Sequence, residues 1–259
     1  MIQDSQHATV INRGQVSFLH FPVFDQYPEV VACFAMKGET DRYYDYAPGN
    51  HRKELWSELG IDGDLVVGIS EQIHSVNVAR VDDARCRYTK LDGLVTNRRD
   101  IFLTTLVADC IALLIYDPKN HAVANLHSGW RGTLAKMARV GVQKMIDEYG
   151  SRPEDLICVI CPSIRRDDFE VEREVKDDFA RQFREIADEI IEEVDGHKFM
   201  IDTVACNKYM LEEMGLRQKN IIDTGICTVC ANDVLHSYRA NKDTEKARRN
   251  LALIGLKSC

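Results

Sequence analysis

Short runs rich in Val, Ile and Leu, separated by turn residues, recur along the first half of the chain. They cover residues 65–70, 75–81, 101–107, 111–116 and 122–126, and two similar runs follow at 156–161 and 221–223. Runs of this length and composition predict buried β-strands. Residues 1–30 mix short apolar patches with polar breaks, which indicates edge strands or an arm.

Helical periodicity lies between and after these runs. Apolar residues follow helical spacing in residues 133–149, with Gly150 as the stop, in the highly charged stretch 170–194, and in 202–214. Asn50 can cap a short helix that ends near Gly60, and residues 40–50 are typical of a loop. Consecutive strands followed by helices predict an α+β fold, and no linker divides residues 1–259 into two domains.

Composition and charge narrow the classes of partner. The 259 residues include 33 Lys or Arg and 41 Asp or Glu, which gives a net charge of −8. This balance argues against nucleic acid as a partner, because phosphate contacts need clustered basic side chains. The apolar runs fall far short of the ~20 residues of a membrane span, so no membrane partner is expected. Nine cysteines and no secretion signal predict reduced thiols in a cytoplasmic protein.

Three reactive side chains stand where predicted strands end, which is where rigid scaffolds usually present functional groups. His74 follows the run 65–70, Cys110 lies between two runs, and His127 follows the run 122–126. A thiolate and two imidazoles suit Zn²⁺ or copper, and three protein ligands leave one tetrahedral position open. Their spacing matches no zinc finger, so spacing alone favours three unrelated residues.

The segment His127-Ser128-Gly129-Trp130-Arg131-Gly132 leads from a predicted strand into a predicted helix. Gly129 and Gly132 permit backbone conformations that other residues avoid, and Arg131 can pair with phosphate through two hydrogen bonds. Trp130 offers a flat face to a ring. The alternative is a strand-to-helix turn whose glycines and tryptophan serve only packing.

Two Cys-x-x-Cys pairs, Cys158 with Cys161 and Cys227 with Cys230, suggest a structural zinc site. The 65 residues between the pairs far exceed the roughly 15–20 of a two-pair zinc site. Residues three apart in an extended strand face opposite sides, so Cys158 and Cys161 cannot chelate one ion without a bend. The sequence therefore favours buried thiols at both pairs.

At these residues the chain resembles the laccase-domain family, whose members are also called multicopper polyphenol oxidases and purine nucleoside phosphorylases. The family carries Gln-x-His, Ala-Asp-Cys and His-Ala-Gly-Trp-Arg-Gly segments in this order. Here they read Gln72-Ile73-His74, Ala108-Asp109-Cys110 and His127-Ser128-Gly129-Trp130-Arg131-Gly132. Further matches are Asp92-Gly93-Leu94-Val95-Thr96, Pro162-Ser163-Ile164, Phe169-Glu170-Val171, Cys227-Thr228 and Ser237-Tyr238-Arg239.

The resemblance implies two stacked mixed β-sheets flanked by helices, a four-layer α/β/β/α arrangement related to cysteine-dependent toxin deamidases. It implies that His74, Cys110 and His127 bind Zn²⁺, with copper as the ion of the oxidase interpretation. The implied partners are purine nucleosides and phosphate. The implied activity is phosphorolysis of adenosine, inosine and S-methyl-5′-thioadenosine to the free base and ribose 1-phosphate, with some hydrolytic deamination of adenosine.

Single-residue roles are hypotheses that build on this resemblance. Cys110 and His127 are assigned to catalysis as well as to the metal. Asp109 orients a histidine or carries a proton, unless it is a simple turn carboxylate. Substrate binding is assigned to Gln72, Trp130, Arg131, Tyr238 and Arg239. The two arginines suit phosphate, and the aromatic rings suit the purine, although the sequence alone favours core packing for each ring.

The chain departs from the family pattern in places, and other functions stay open. An expected arginine is Met36, and the Gly-Arg after the closing Ser-Tyr-Arg is absent unless Arg248 or Arg249 replaces it. These changes bear on the preferred substrate. A copper phenol oxidase and a non-enzymatic metal-binding regulatory domain are the alternatives. With 8 His and no His-x-His pair, the sequence argues against a full multicopper centre, and it leaves the oligomeric state open.

Overall fold

The computed structural model describes residues 2, 5–38, 42–44, 49–241 and 248–258. In these residues the strands are β1 (Thr9–Arg13), β2 (Val16–His20), β3 (Val30–Met36), β4 (Val66–Gly68), β5 (Val78–Arg80), β6 (Gly93–Thr96), β7 (Phe102–Val107), β8 (Ile111–Asp117), β9 (Ala122–Ser128), β10 (Ile157–Ile160), β11 (Glu170–Glu172), β12 (Ile191–Glu193), β13 (Lys198–Ile201), β14 (Ile221–Asp223) and β15 (Asn250–Leu256). The α-helices are α1 (Arg52–Leu59), α2 (Trp130–Leu134), α3 (Met137–Tyr149), α4 (Arg173–Gln182), α5 (Ala187–Ile190) and α6 (Thr203–Glu213).

The first large sheet combines early and late segments of the chain, in the order β1-β2-β3-β15-β7-β4. Strand β15 lies in its middle and pairs antiparallel with both neighbours, so that Leu253 stands between Cys33 on β3 and Thr104 on β7. Strand β4 runs parallel to β7 and forms one edge. Strand β1 forms the other edge, which confirms edge strands within the first 30 residues.

The second large sheet has the order β14-β10-β8-β9-β6-β5. Its centre is the antiparallel hairpin of β8 and β9, in register from Ile111 opposite Ser128 to Asp117 opposite Ala122. The outer strands β14 and β5 each run parallel to their neighbour. A small third sheet, β11-β13-β12, lies apart from the two large ones in the strand order.

Three apolar cores hold these layers together. The core between the two large sheets takes Leu103 and Ile254 from the first sheet and Leu114 and Val159 from the second, all fully buried. On the outer face of the first sheet, Phe18, Cys33 and Leu253 pack with Leu55 and Trp56 of α1. On the outer face of the second sheet, Leu126 of β9 packs in a core with residues of three helices: Met137 and Val142 of α3, Phe179 of α4, and Met210 of α6. The predicted α/β/β/α layers are confirmed.

Two helix predictions need correction. The helix expected at 133–149 begins at Trp130 and is divided into α2 and α3, because Lys136 has a left-handed backbone (φ 69°) that no continuous helix permits. Gly150, also left-handed, ends α3 as expected. A single helix over 170–194 is wrong: α4 and α5 are flanked by β11 and β12, both of which pair with β13.

The remaining helices are confirmed, although the N-cap residue of α1 is His51 and not Asn50. Asn50 Oδ1 accepts a hydrogen bond from Arg52 N at the start of α1, and Gly60 ends that helix in the left-handed region. Asp202 caps α6 by accepting from Ala205 N at 2.8 Å. Of the expected loop 40–50, residues 40, 41 and 45–48 lie outside the described residues. Among the described helices, none combines the length and the apolar character that crossing a bilayer requires.

Candidate metal centre

Three donor side chains from separate segments of the chain converge beside the second sheet. His74 lies between β4 and β5, Cys110 in the turn between β7 and β8, and His127 near the end of β9. Their ligand atoms all lie within 4.8 Å of one another; His74 is exposed, Cys110 is half-buried and His127 is buried. The imidazole rings meet edge to face, with centroids 4.9 Å apart. The structure therefore brings together the three residues that the sequence singled out.

The β8–β9 pairing explains why Cys110 and His127 are neighbours. Ala112 on β8 stands opposite His127 on β9, so Cys110, two residues before Ala112, lies at the same end of the hairpin as Gly129. A Cβ atom on Gly129 would lie 2.9 Å from Cys110 Sγ and 3.0 Å from His74 Cδ2. The backbone of Gly129 is ordinary (φ −70°, ψ 175°), so the expected conformational reason is wrong. Glycine is required there because the donor atoms fill the space of a side chain.

The buried carboxylate of Asp92 fixes the loop that carries His74. Its two oxygens accept hydrogen bonds from the backbone N–H groups of Ile73, His74 and Ser75, at 3.2, 3.0 and 2.6 Å, and from Ser75 Oγ at 2.7 Å. His74 has a positive φ of 59°, which is uncommon for a residue with a side chain. The carboxylate therefore holds the loop in a conformation that the chain would not otherwise favour.

Asp92 also fixes His127. The Nδ1 atom of His127 lies 2.8 Å from Asp92 Oδ1, and both side chains are buried. Because Nδ1–H donates to the carboxylate, Nε2 is the nitrogen available to a metal. Sequence reasoning noted Asp92 only as part of a family segment and missed this role. A carboxylate behind a metal-binding histidine is a general expectation, but 41 acidic residues gave no local signal for which one it would be.

The electrostatics of the site favour a thiolate at Cys110 beside a protonated His127, whose proton a bound metal ion would displace. Burial raises the pKa of Cys110, but the imidazoles of His127 and His74 outweigh it and lower that pKa to about 6. Burial lowers the pKa of His127, whereas the Cys110 sulfur and Asp92 raise it to about 9. The sulfur is thus held as a thiolate, the form in which cysteine binds metals. One thiolate and two imidazoles with a carboxylate behind them suit Zn²⁺ or copper.

Asp109 holds two neighbouring segments in place. Its backbone is left-handed (φ 83°), and its side chain is buried. Oδ1 accepts from Thr228 Oγ1 at 2.7 Å, and Oδ2 accepts from Arg239 N at 2.6 Å. Both oxygens therefore bind the segments that carry Thr228 and Arg239. Proton transfer by Asp109 stays a prediction, but these contacts favour a positioning role.

The residues assigned to substrate lie on two segments that adjoin the centre, one that follows Gly129 and one whose Arg239 N donates to Asp109. Arg131 is exposed, and its guanidinium carbon lies 4.1 Å from the ring centroid of Trp130, which is partly buried against the core under α3. Arg239 donates from Nη1 to Asp168 O and from Nη2 to Glu170 O, at 3.0 and 3.1 Å. Tyr238 is 55% exposed, which is unusual for a side chain of its size.

Both polar atoms of the Gln72 side-chain amide form hydrogen bonds with the backbone of β7. Nε2 donates to Leu106 O at 3.0 Å, and Oε1 accepts from Leu106 N at 2.8 Å. These two bonds attach the His74 loop to the first sheet. The substrate-binding role of Gln72 remains a prediction, and the observed contacts give it a positioning role.

The two Cys-x-x-Cys pairs differ from each other. Cys158 belongs to the core on the helix side of the second sheet and Cys161 to the core between the sheets, so they face opposite sides as predicted. The prediction that the second pair is buried is wrong, because Cys227 is half-buried and Cys230 is exposed. Their sulfurs lie near a carboxylate oxygen of Asp168, and the three residues form a second group of potential metal donors.

Comparison with known proteins relates most of the chain to one family. Residues 47–257 match the family model described as multi-copper polyphenol oxidoreductase laccase. Over 197 residues the chain is 31% identical to a protein of Bacillus subtilis (strain 168) named purine nucleoside phosphorylase YlmD, covering 73% of this chain and 70% of that one. Over the same number of residues it is 29% identical to adenosine deaminase RL5 of an unknown prokaryotic organism, covering 73% and 74%.

A solved structure shares the fold. The crystal structure of the Bacillus licheniformis hypothetical protein YfiH superimposes with a TM-score of 0.85, covering 96% of this chain and 99% of that one at 24% sequence identity. This similarity extends over both large sheets and their flanking helices.

Proposed function

The chain belongs to the laccase-like multi-copper polyphenol oxidoreductase family, and from that premise we propose that it is a zinc-dependent purine nucleoside phosphorylase that also deaminates adenosine. The substrates are adenosine, inosine and S-methyl-5′-thioadenosine, and the products of phosphorolysis are the free base and ribose 1-phosphate. The observation that carries the proposal is the convergence of His74, Cys110 and His127 around the space that Gly129 leaves open. The names of the relatives supply the reaction class.

The three donor residues would hold Zn²⁺, which supplies a Lewis acid at its open coordination position when bound. Asp92 keeps His127 in the tautomer that presents Nε2 and keeps the His74 loop in place. Gln72 attaches the same loop to β7. These contacts set the donor geometry before substrate arrives, which is the condition for electrostatic stabilisation without reorganisation.

Phosphorolysis needs a positioned anion, because a phosphate oxygen forms a bond to C1′ while the C1′–N9 bond breaks and its electron pair leaves with the base. Arg131 and Arg239 are the proposed phosphate residues. Arg131 is exposed, with its plane held by Trp130. The guanidinium of Arg239 has five N–H donors. One on Nη1 and one on Nη2 bind backbone carbonyls, which fixes the group. The remaining donors are available to an anion.

Tyr238 is the proposed stacking partner of the purine. Its ring is 55% exposed, and it lies on the same short segment as Arg239, the proposed phosphate residue. Trp130 is less suited to stacking, because its ring already carries Arg131 on one face and contacts the core. Deamination of adenosine uses the same centre, with water in place of phosphate and ammonia as the leaving group.

The test is a comparison of phosphate dependence in the zinc-loaded protein. Adenosine or inosine should yield base and ribose 1-phosphate only when phosphate is present, and adenosine should yield inosine and ammonia with or without it. His74→Ala should lower kcat/KM at least about 100-fold, since loss of residues behind the ligands already costs about 10–100-fold. His197→Ala, which changes an exposed histidine elsewhere, is the matched control. Base release that ignores phosphate would contradict the proposal.

Copper-dependent phenol oxidation is the second candidate, favoured by the polyphenol oxidoreductase description of the matching family and by the thiolate in the donor set. It predicts turnover of phenols in proportion to copper content. Phenol oxidation without any nucleoside cleavage would replace the first proposal by this one. Neither activity, with metal bound, would favour a non-enzymatic role.

A further inference from the structure

The turn after β14 places two cysteines beside one carboxylate. Ala231 N donates to Cys227 O at 3.0 Å, which makes residues 227–231 a single helical turn. Residues three apart in such a turn face the same side, so Cys227 and Cys230 point together. Oδ2 of Asp168 lies 3.0 Å from Cys227 Sγ and 3.3 Å from Cys230 Sγ. All three donor atoms lie within 4.8 Å of one another.

We propose that Asp168, Cys227 and Cys230 form a second metal site, which binds Zn²⁺ and is independent of His74, Cys110 and His127. Two sulfurs and a carboxylate oxygen are ordinary zinc donors, and three protein ligands leave one position for water. Cys230 is exposed, which gives the ion a path from solvent.

The carboxylate distinguishes this site from a redox dithiol. Formation of a disulfide would need only the two sulfurs and an oxidant, and it would make no use of a carboxylate. Here a single oxygen of Asp168 contacts both sulfurs, so three donors from two separate segments converge on one point. A divalent cation at that point would replace the two thiol protons and pair with all three donors.

The second site connects to the residues proposed to bind substrate. Asp168 O accepts from Arg239 Nη1, and Thr228, between the two cysteines, donates to Asp109 Oδ1. A cation shared by Asp168 and the cysteines would join the segment before β11 to the turn after β14. It would thereby fix the backbone that positions Arg239, which makes it a structural rather than a catalytic ion.

Metal stoichiometry tests the proposal without reference to activity. The reduced protein, stripped by a chelator and reloaded with Zn²⁺ alone, should retain about two ions per chain after desalting. Cys227→Ser combined with Cys230→Ser should retain about one, and Cys110→Ser should also retain about one. Cys86→Ser, which changes an exposed cysteine elsewhere, is the matched control and should retain two.

Spectroscopy assigns the ion that remains. Co²⁺ bound in the Cys110→Ser protein should show thiolate charge-transfer absorption, which the further change of Cys227 and Cys230 to Ser removes. If the double cysteine variant fails to fold, Asp168→Asn in the Cys110→Ser background should weaken Zn²⁺ binding at least about tenfold. A single ion in the unchanged protein that the Cys227→Ser and Cys230→Ser protein still retains, or a mass two hydrogens too low that signals a disulfide in the metal-free form, would overturn the proposal.

Discussion

The two donor groups differ in what holds them. The first group, His74, Cys110 and His127, is held by the buried carboxylate of Asp92, which contacts the backbone of one loop and the ring of His127. The second group, Asp168, Cys227 and Cys230, comes from two short turns nearer to solvent, one before β11 and one after β14. Its two segments are joined by Arg165, which donates to Asp223 and to the carbonyl of Ile226, directly before Cys227.

This difference indicates two kinds of site. Donors that are fixed in a buried network keep one geometry whether or not the ion is present, which suits chemistry. Donors on a partly exposed turn gain most of their order from the ion, which suits a structural role. Two substitutions and a change of pH test this contrast.

Asp92→Asn should have the largest effect. The side-chain amide of Asn carries an NH₂ group in place of one carboxylate oxygen. Some of the buried N–H groups of Ile73, Ser75 and His127 would then face another N–H donor and lose their acceptor. Zn²⁺ affinity at the first group should fall up to about 100-fold, and the free energy of unfolding by ~3 kcal/mol. Zinc titration and urea unfolding measure both quantities. Asp82→Asn, at a side chain 57% exposed, should change neither, and an equal loss in that control would remove the special role of Asp92.

Acid should weaken the ion pair between Arg165 and Asp223, which helps to join the two segments of the second group. Burial raises the pKa of Asp223, but Arg165 and Lys208 outweigh it and lower that pKa to about 2 from the ordinary 3.8. Because the pKa of Asp223 is lower in the folded state, its ionised carboxylate stabilises the fold at pH values above the unfolded pKa. This stabilisation is lost as pH falls through the folded pKa, here between about 4 and 2. The contribution is ~2 kcal/mol at neutral pH. Urea unfolding of the wild type and Asp223→Asn should differ by that amount at pH 6, and the difference should shrink as pH falls from about 4 to 2. A constant difference would contradict the assignment.

Gly129→Ala tests the space at the first group. The added methyl would lie 2.9 Å from Cys110 Sγ, which must move to admit it. Zinc affinity should fall about tenfold, equal to about 1.4 kcal/mol. Gly132→Ala is the control on the same segment, because the nearest atom to its Cβ, Ser75 O, is 3.5 Å away, an ordinary contact. Isothermal titration distinguishes the two, and equal affinities would exclude the steric explanation.

The sequence predicted those strands whose signal is local. β7, β8 and β9 appear as apolar runs bounded by turn residues, and they carry Cys110 and His127 at their ends. The prediction of one helix over 170–194 was wrong because the helical spacing of its apolar residues holds only through α4. Val171 and Ile191, at its two ends, lie in strands that pair with β13. β3 and β15 were not predicted. Their pairing joins residues more than 200 positions apart, a relation that no local window contains.

At the site, residue types pointed to the ligands but not to their supports. Cys110 and two histidines were found because few side chains of that kind follow strand ends, and the family resemblance singled them out. Asp92 was missed because its role depends on three N–H groups from another segment. The purpose of Gly129 was misread, since a steric requirement becomes visible only when Cys110 and His74 are in place.

The central position of β15 has a consequence for the order of assembly. While the ribosome is still adding residues before 250, β3 and β7 have no neighbour between them, and each presents an unsatisfied edge. The hairpin of β8 and β9 can pair much earlier, because its strands are adjacent in sequence. A nascent chain would therefore have two of the three residues of the first donor group, Cys110 and His127, in position while the other large sheet is still incomplete and its two inner edges are open to pairing with other chains.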